Sequence, residues 1–216
     1  MSTPHPAKSA PQRVTLEGRY ARLEPIGPQH VADLFDAAQA EPGRFTYLFE
    51  DAPTSEAAMG VYVQNAAAKD DPLMFAVIDK ATGRAEGRQA LMRIVPEHGV
   101  IEIGNIFWGP RLARTRVATE ALFLHARYIF DDLGYRRFEW KCNNENAPSK
   151  AAAERFGFHF EGIFRQHMIQ KGKNRDTAWF AMLDGDWPRL RAEYQRWLAP
   201  ENFDADGRQK TKLAAR

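Results

Sequence analysis

Between Ile101 and Cys142 the chain spells out a strand, a long helix and another strand in immediate succession, and this stretch restricts the possible folds more than any other. The run VIEIGNIFW is β-rich, with apolar residues at Ile101, Ile103 and Ile106, and Pro110 ends it. Its Gly104-Asn105 pair interrupts the alternation and is read as a bulge. From Thr115 onward Val117, Ala118, Ala121, Leu122, Leu124, His125, Tyr128 and Ile129 recur at helical spacings, which predicts a helix reaching Asp131 or Leu133 and stopping by Gly134. RRFEWKC then returns to strand character.

The flanks extend this pattern. VTLEGRYARLEPI is strand-like, and Pro28 opens a helix near Gln29 to Ala40 with Val31, Leu34, Phe35 and Ala38 on one stripe. After a loop carrying Pro42 and Gly43, Thr54 is placed to cap a second helix over SEAAMGVYVQNAAA. LMFAVIDKATG reads as a strand that turns into another within GRQALMRIV. Beyond RRFEWKC come a short helix, SKAAAERF, ended by Gly157, and two antiparallel strands, FEGIFRQHMIQ and DTAWFAML, joined through KGKNR. The order is strand, two helices, three strands, helix, strand, helix, two strands. An amphipathic stretch, WPRLRAEYQRWL, follows.

With 216 residues, 44% of them hydrophobic, the chain can close one core, so residues 13–199 are expected to form a single domain. Residues 1–12 read as a disordered leader, with Pro4, Pro6 and Pro11 among Ser, Thr and Lys, and residues 200–216 as a flexible polar tail. No apolar run is long enough to cross a bilayer and no secretory signal is present, so a cytoplasmic location and no membrane contact are expected. Cys142, the single cysteine, forbids an intrachain disulfide and reads as a packed strand residue. His98, His125, His159 and His167 are scattered, so no metal is expected. A net charge of +2 argues against binding nucleic acid by broad phosphate neutralisation.

The segments IEIGNIFWGP, RTRVATEA, LGYRRFEWKCNNENAPSKAAAERFGFHFEGIFR and NRDTAWFAMLDGDWP, in this order and spacing, resemble the GNAT acetyltransferase superfamily, in the branch typified by ribosomal-protein N-terminal acetyltransferases. The resemblance spans roughly residues 14–190. It implies an α/β fold with a central mixed, mostly antiparallel sheet, flanked by helices and splayed between the strands near 101–108 and 136–142. It also implies acetyl-CoA as co-substrate, its pantetheine in the gap and its pyrophosphate over the start of the long helix. There, unpaired amides and aligned peptide dipoles make an anion site.

That site falls on Arg111, Arg114, Thr115, Arg116, Val117 and Ala118. Ala113 and Arg116 depart from the usual pyrophosphate loop, Arg116 standing where the family has glycine. If that position is helical, Arg116 keeps its amide and adds a cation; if not, the side chain crowds the phosphate. The resemblance further implies that the backbone N–H near Phe107 polarises the thioester oxygen, and that Ser149 protonates the departing thiolate while Asn146 positions pantetheine. Helix capping is the competing reading of Asn146 and Ser149. Glu102, among isoleucines, is the candidate base and acceptor-binding group; pairing with an arginine is its alternative. Phe45 and Tyr47 are expected on the acceptor side, although core packing suits either. The expected acceptor is a primary amine, on a protein N-terminus or a small molecule. A homodimer is expected by resemblance and because Trp197 and Leu198 need cover. The altered loop leaves a second reading, a catalytically inactive acyl-CoA-binding regulatory or scaffold protein.

Overall fold

The computed structural model describes residues 5–215. Its organising element is β3 (Leu73–Asp79), an unbroken apolar run because both of its faces are covered. Leu73, Phe75 and Val77 point into one core cluster, and Met74, Ala76 and Ile78 into another. The remaining strands are β1 (Leu16–Glu17), β2 (Ala21–Pro25), β4 (Arg84–Val95), β5 (Val100–Trp108), β6 (Arg137–Asn143), β7 (His159–Gln170) and β8 (Lys173–Leu183). They form one eight-stranded sheet in the order β1-β2-β3-β4-β5-β6-β8-β7. On one face pack α1 (Val31–Ala40) and α2 (Glu56–Ala67); on the other lie α3 (Arg116–Arg127), α4 (Ala147–Arg155) and α5 (Trp187–Leu198). This is the α/β fold with a mixed, mostly antiparallel sheet that the family resemblance implies.

Every strand pairing is antiparallel except β5 with β6, which α3 joins as a crossover helix. That parallel pairing runs only from Val100↔Arg137 to Ile103↔Trp140. Beyond it β5 stays with β4 as far as Gly87↔Trp108, while β6 stays with β8 as far as Asn143↔Thr177. The two strands part, and the sheet opens between them. The predicted bulge sits at the parting: Gln89 of β4 faces both Asn105 and Ile106, and Asn105 takes a positive φ of 49°.

Several expectations change. The single N-terminal strand is a hairpin, β1 and β2, whose turn is held by the buried Glu120 carboxylate of α3, accepting the N–H groups of Arg19, Tyr20 and Ala21. Ser55, not Thr54, caps α2, because its hydroxyl accepts from the Ala58 amide. The leader does not hang loose from residue 5 onward: Ala7 donates to the Pro96 carbonyl, Lys8 to that of Leu133, and Gln12 to the Tyr128 hydroxyl. Residues 1–4 of that leader lie outside the described residues. The polar tail also folds back, with Phe203 and Ala215 buried. Proline-rich composition forecasts poor regular structure, and these segments have little, but backbone hydrogen bonds and single apolar anchors hold them in place. Trp197 and Leu198, expected to need a second subunit, are buried within this chain; Trp197 packs on Phe203 and donates to Gln209.

Candidate active site

The opening between β5 and β6 widens into a cleft of about 1730 Å³ that runs from the loop at Tyr47 to the start of α3 and on to the tail at Asp206–Gln209. No helix among the described residues is long and apolar enough to cross a membrane.

At one end, Thr115 caps α3, its hydroxyl accepting from the Ala118 amide at 3.3 Å. The amides of Arg116 and Val117 are left at the helix mouth with no partner among the described residues. Arg116 is the first helical residue, so the position for which the resemblance implies glycine has ordinary helical geometry and the side chain costs no backbone strain. Its guanidinium lies over the Tyr20 ring, 4.4 Å from the centroid, and 5.2 Å from that of Phe203. Arg114, exposed and with a positive φ of 66°, also lines the cleft. Arg111 does not join them: it pairs with the buried Glu86 at 2.8 Å, away from the cleft. A buried polar chain fixes the helix to the sheet, the Gln89 amide bonding both Ala121 and His125 while its oxygen accepts from Trp108. Burial pushes the His125 pKa down to about 3, so this histidine is a neutral structural group.

In the middle of the cleft, strand alternation decides which amides are free. Gly109 donates to the Glu86 carbonyl at 2.9 Å, which makes Phe107, two residues earlier, a ladder partner of Arg88. The Phe107 amide is therefore used within the sheet, and its ring packs on Phe45 in the core, centroids 4.8 Å apart. Ile106 and Trp108 lie on the open edge instead. The bulge shifted the count by one residue, which no spacing rule would have revealed.

Glu102 lies just before the parting, buried, with Lys141 Nζ at 2.8 Å and Arg93 Nε at 3.1 Å. Burial raises its pKa, and Lys141 and Arg93 only partly oppose that. The arginine pairing that the sequence allowed for Glu102 is present, and burial still leaves the carboxylate with a raised pKa. Across the parallel register Glu139 stands opposite Glu102, and Lys141 bridges the two, lying 2.7 Å from Glu139. On the other face of β6, Ser149 accepts from the Trp140 indole at 3.0 Å, and Asn146 caps α4 by accepting from the Ser149 amide. Having accepted that bond, the Ser149 hydroxyl has its own proton to donate. Burial raises the Cys142 thiol pKa, and a hydrogen bond from Ser149 draws it back. Glu102 and Ser149 therefore approach the gap from opposite faces of the sheet, because the β6 residues they contact, Lys141 and Trp140, are consecutive and point to opposite sides.

The end of the cleft away from α3 is closed by the loop after α1. Tyr47 lines the cleft and its hydroxyl reaches the Glu145 carbonyl at 3.3 Å. Phe45 is buried against Phe107 and does not line it. The β7–β8 hairpin grips this loop, with Lys171 bonded to the Phe45 carbonyl and paired with Asp51. Sequence reasoning missed Arg93, Lys141, His167, Arg175 and the tail at the mouth. Only Lys141 had a local signal, alternating with Phe138, Trp140 and Cys142 and so facing away from the core.

Comparison with known proteins agrees with this geometry. Residues 21–159 match the family described as Acetyltransferase (GNAT) domain. The chain is 30% identical over 117 residues to the uncharacterized N-acetyltransferase p20 of Bacillus licheniformis, a match covering 52% of this chain and 63% of that protein. It is 58% identical to a GCN5-related N-acetyltransferase from Brucella melitensis whose crystal structure superposes with a TM-score of 0.94, over 97% of this chain and 96% of that one. A GNAT-family structure from Chromobacterium violaceum shares 38% identity with a TM-score of 0.80, over 87% and 97% of the two chains. A sheet parted beside a capped helix mouth, together with the family match over residues 21–159, establishes that this chain belongs to the GNAT acetyltransferase family.

Proposed function

We propose that the protein transfers an acetyl group from acetyl-CoA to a primary amine by direct attack within a ternary complex. The observation that carries this reading is the end of the β5–β6 pairing at Ile103↔Trp140, which opens one continuous cleft from Glu102 to the free amides of α3. The residues fit the co-substrate. The Arg116 and Val117 amides, with Arg114 beside them, would hold its diphosphate. The open edge of β5 at Ile106 and Trp108, in place of Phe107, offers peptide groups to the pantetheine and the thioester oxygen. When bound, acetyl-CoA supplies the activated acetyl carbon, which takes the amine lone pair as the carbon–sulfur bond breaks and CoA leaves as the thiol.

The protein's part is proton management. An amine arrives as ammonium, and Glu102, directly or through one water, takes the proton that frees its lone pair. An elevated pKa brings the carboxylate closer to the proton affinity this needs. Ser149, on the far face, gives its hydroxyl proton to the departing sulfur and is then the group to be reprotonated. No side chain is acylated, and Cys142, buried with a raised pKa, is a poor nucleophile.

Purified protein incubated with acetyl-CoA and a panel of amines and peptides tests the reading. Thiol release matched by acetylated product supports it. Stable CoA binding without turnover across the panel would replace it with the acyl-CoA-binding module.

A further inference from the structure

Arg175 of β8 is buried, lines the acceptor end of the cleft, and has no carboxylate within ion-pair distance among the described residues. Its Nε donates to Thr177 and its Nη1 to the Gln170 side-chain oxygen, while Nη2 has no hydrogen-bond partner among the described residues. The exposed Phe49 ring lies 5.1 Å from the guanidinium carbon. Gln170 in turn donates to the Tyr47 carbonyl, so the arginine is clamped between the hairpin and the acceptor loop. A guanidinium removed from water and left without an anion is costly unless something else neutralises it.

The neighbouring carboxylates are already engaged. Glu102 is shared by Lys141 and Arg93, Glu139 by Lys141 and Arg137, Asp51 is held by Lys171 and Glu50 by Arg88. Strand pairing places Glu102, Lys141, Thr177 and Arg175 on one face of the sheet, since Lys141 stands opposite Trp179 and Glu102 opposite Glu139. The field there is positive. Burial and the cations Arg93, Arg175 and Lys141 lower the pKa of His167, which itself bonds to Thr177.

Resting on the acetyltransferase reading above, we infer that the acceptor is a small zwitterion whose amine meets Glu102 while an anionic group on the same molecule, carboxylate or phosphate, completes the coordination of Arg175. The arginine's planar fork suits either anion, and its position beyond Glu102 on the same face lets one ligand span both. Arg175 is a binding and positioning residue here; it moves no proton.

The test compares matched acceptors on the wild-type protein: an amino acid against its amide and its decarboxylated amine, and an amino-alkyl phosphate against the corresponding alcohol. The expected result is a preference for one anionic series of roughly tenfold or more in kcat/KM, expressed mainly in KM. Arg175→Gln should bring the acid-to-amide ratio towards one, and Arg175→Lys should restore part of it. Melting temperature and CoA affinity of each variant separate a folding defect from a binding one, and the wild-type comparison stands without any variant. Equal or better turnover of the neutral acceptors would overturn the inference while leaving acetyl transfer intact. Turnover of no acceptor at all would instead count against the enzyme.

Discussion

The two ends of the cleft are built from different materials. The end proposed for the coenzyme relies chiefly on backbone, with free amides at the mouth of α3 and an unpaired strand edge, backed by a threonine cap and an arginine–aromatic stack. The acceptor end consists of side chains from β4, β5, β6, β8 and the loop after α1, assembled through ion pairs. Backbone geometry tolerates sequence change, so Arg116 can open the helix at a position for which the family resemblance implies glycine. A side-chain cluster does not, so specificity should be lost there first.

This contrast can be broken by experiment. The largest effect is expected at Glu102: replacement by Gln should lower kcat/KM by on the order of 10²–10³-fold at neutral pH with little change in CoA affinity. The acid limb of the wild-type pH profile sharpens the point. The active form is the carboxylate and its pKa is raised, so activity should climb with pH through a midpoint above the ordinary value of 4.5, and that limb should vanish in Glu102→Gln. An unchanged profile would remove Glu102 from the chemistry. The next effect is structural. Glu120→Ala strips three backbone donors of a charged acceptor and should cost about 3 kcal/mol in urea unfolding. Arg116→Ala and Phe203→Ala should each weaken CoA binding by roughly three- to tenfold, because both dismantle the same stack at the helix mouth. Loss with one and not the other would dissolve that link. The smallest change is expected for Asn146→Ala, about 1 kcal/mol of stability from the lost cap, whereas Ser149→Ala, which strands the Trp140 indole and costs a similar amount of stability, should in addition slow turnover at temperatures where it stays folded. If both variants only melt earlier, Ser149 is a helix residue and nothing more.

Much of the end proposed for the coenzyme is legible in the sequence, because its elements are local. The long helix, the strand ended by Pro110 and the Gly104-Asn105 bulge each leave a signature within a dozen residues. What the bulge does to amide direction was not legible: it depends on the partner strand's register, and this moved the open edge from Phe107 to Ile106 and Trp108. The acceptor end was barely readable. Glu102 stood out for its apolar neighbours, but Lys141, Arg93 and Arg175 meet it only through strand pairing. Phe45 and Tyr47, two residues apart, divide between core and cleft according to how the hairpin grips their loop. Arg111 looked like part of a basic cluster and turned instead to Glu86, a partner distant in sequence.

The return of the tail along α5 has a practical side. Family matching stops at residue 159, before β8 has joined β6, and the wall at Asp206–Gln209 stands far downstream of that limit. A truncated clone cut at the homology boundary would strip the sheet of an interior strand. A shorter trim after Leu198 would bare an indole and remove the wall of the cleft beside the mouth of α3, so affinity handles belong on the opposite terminus.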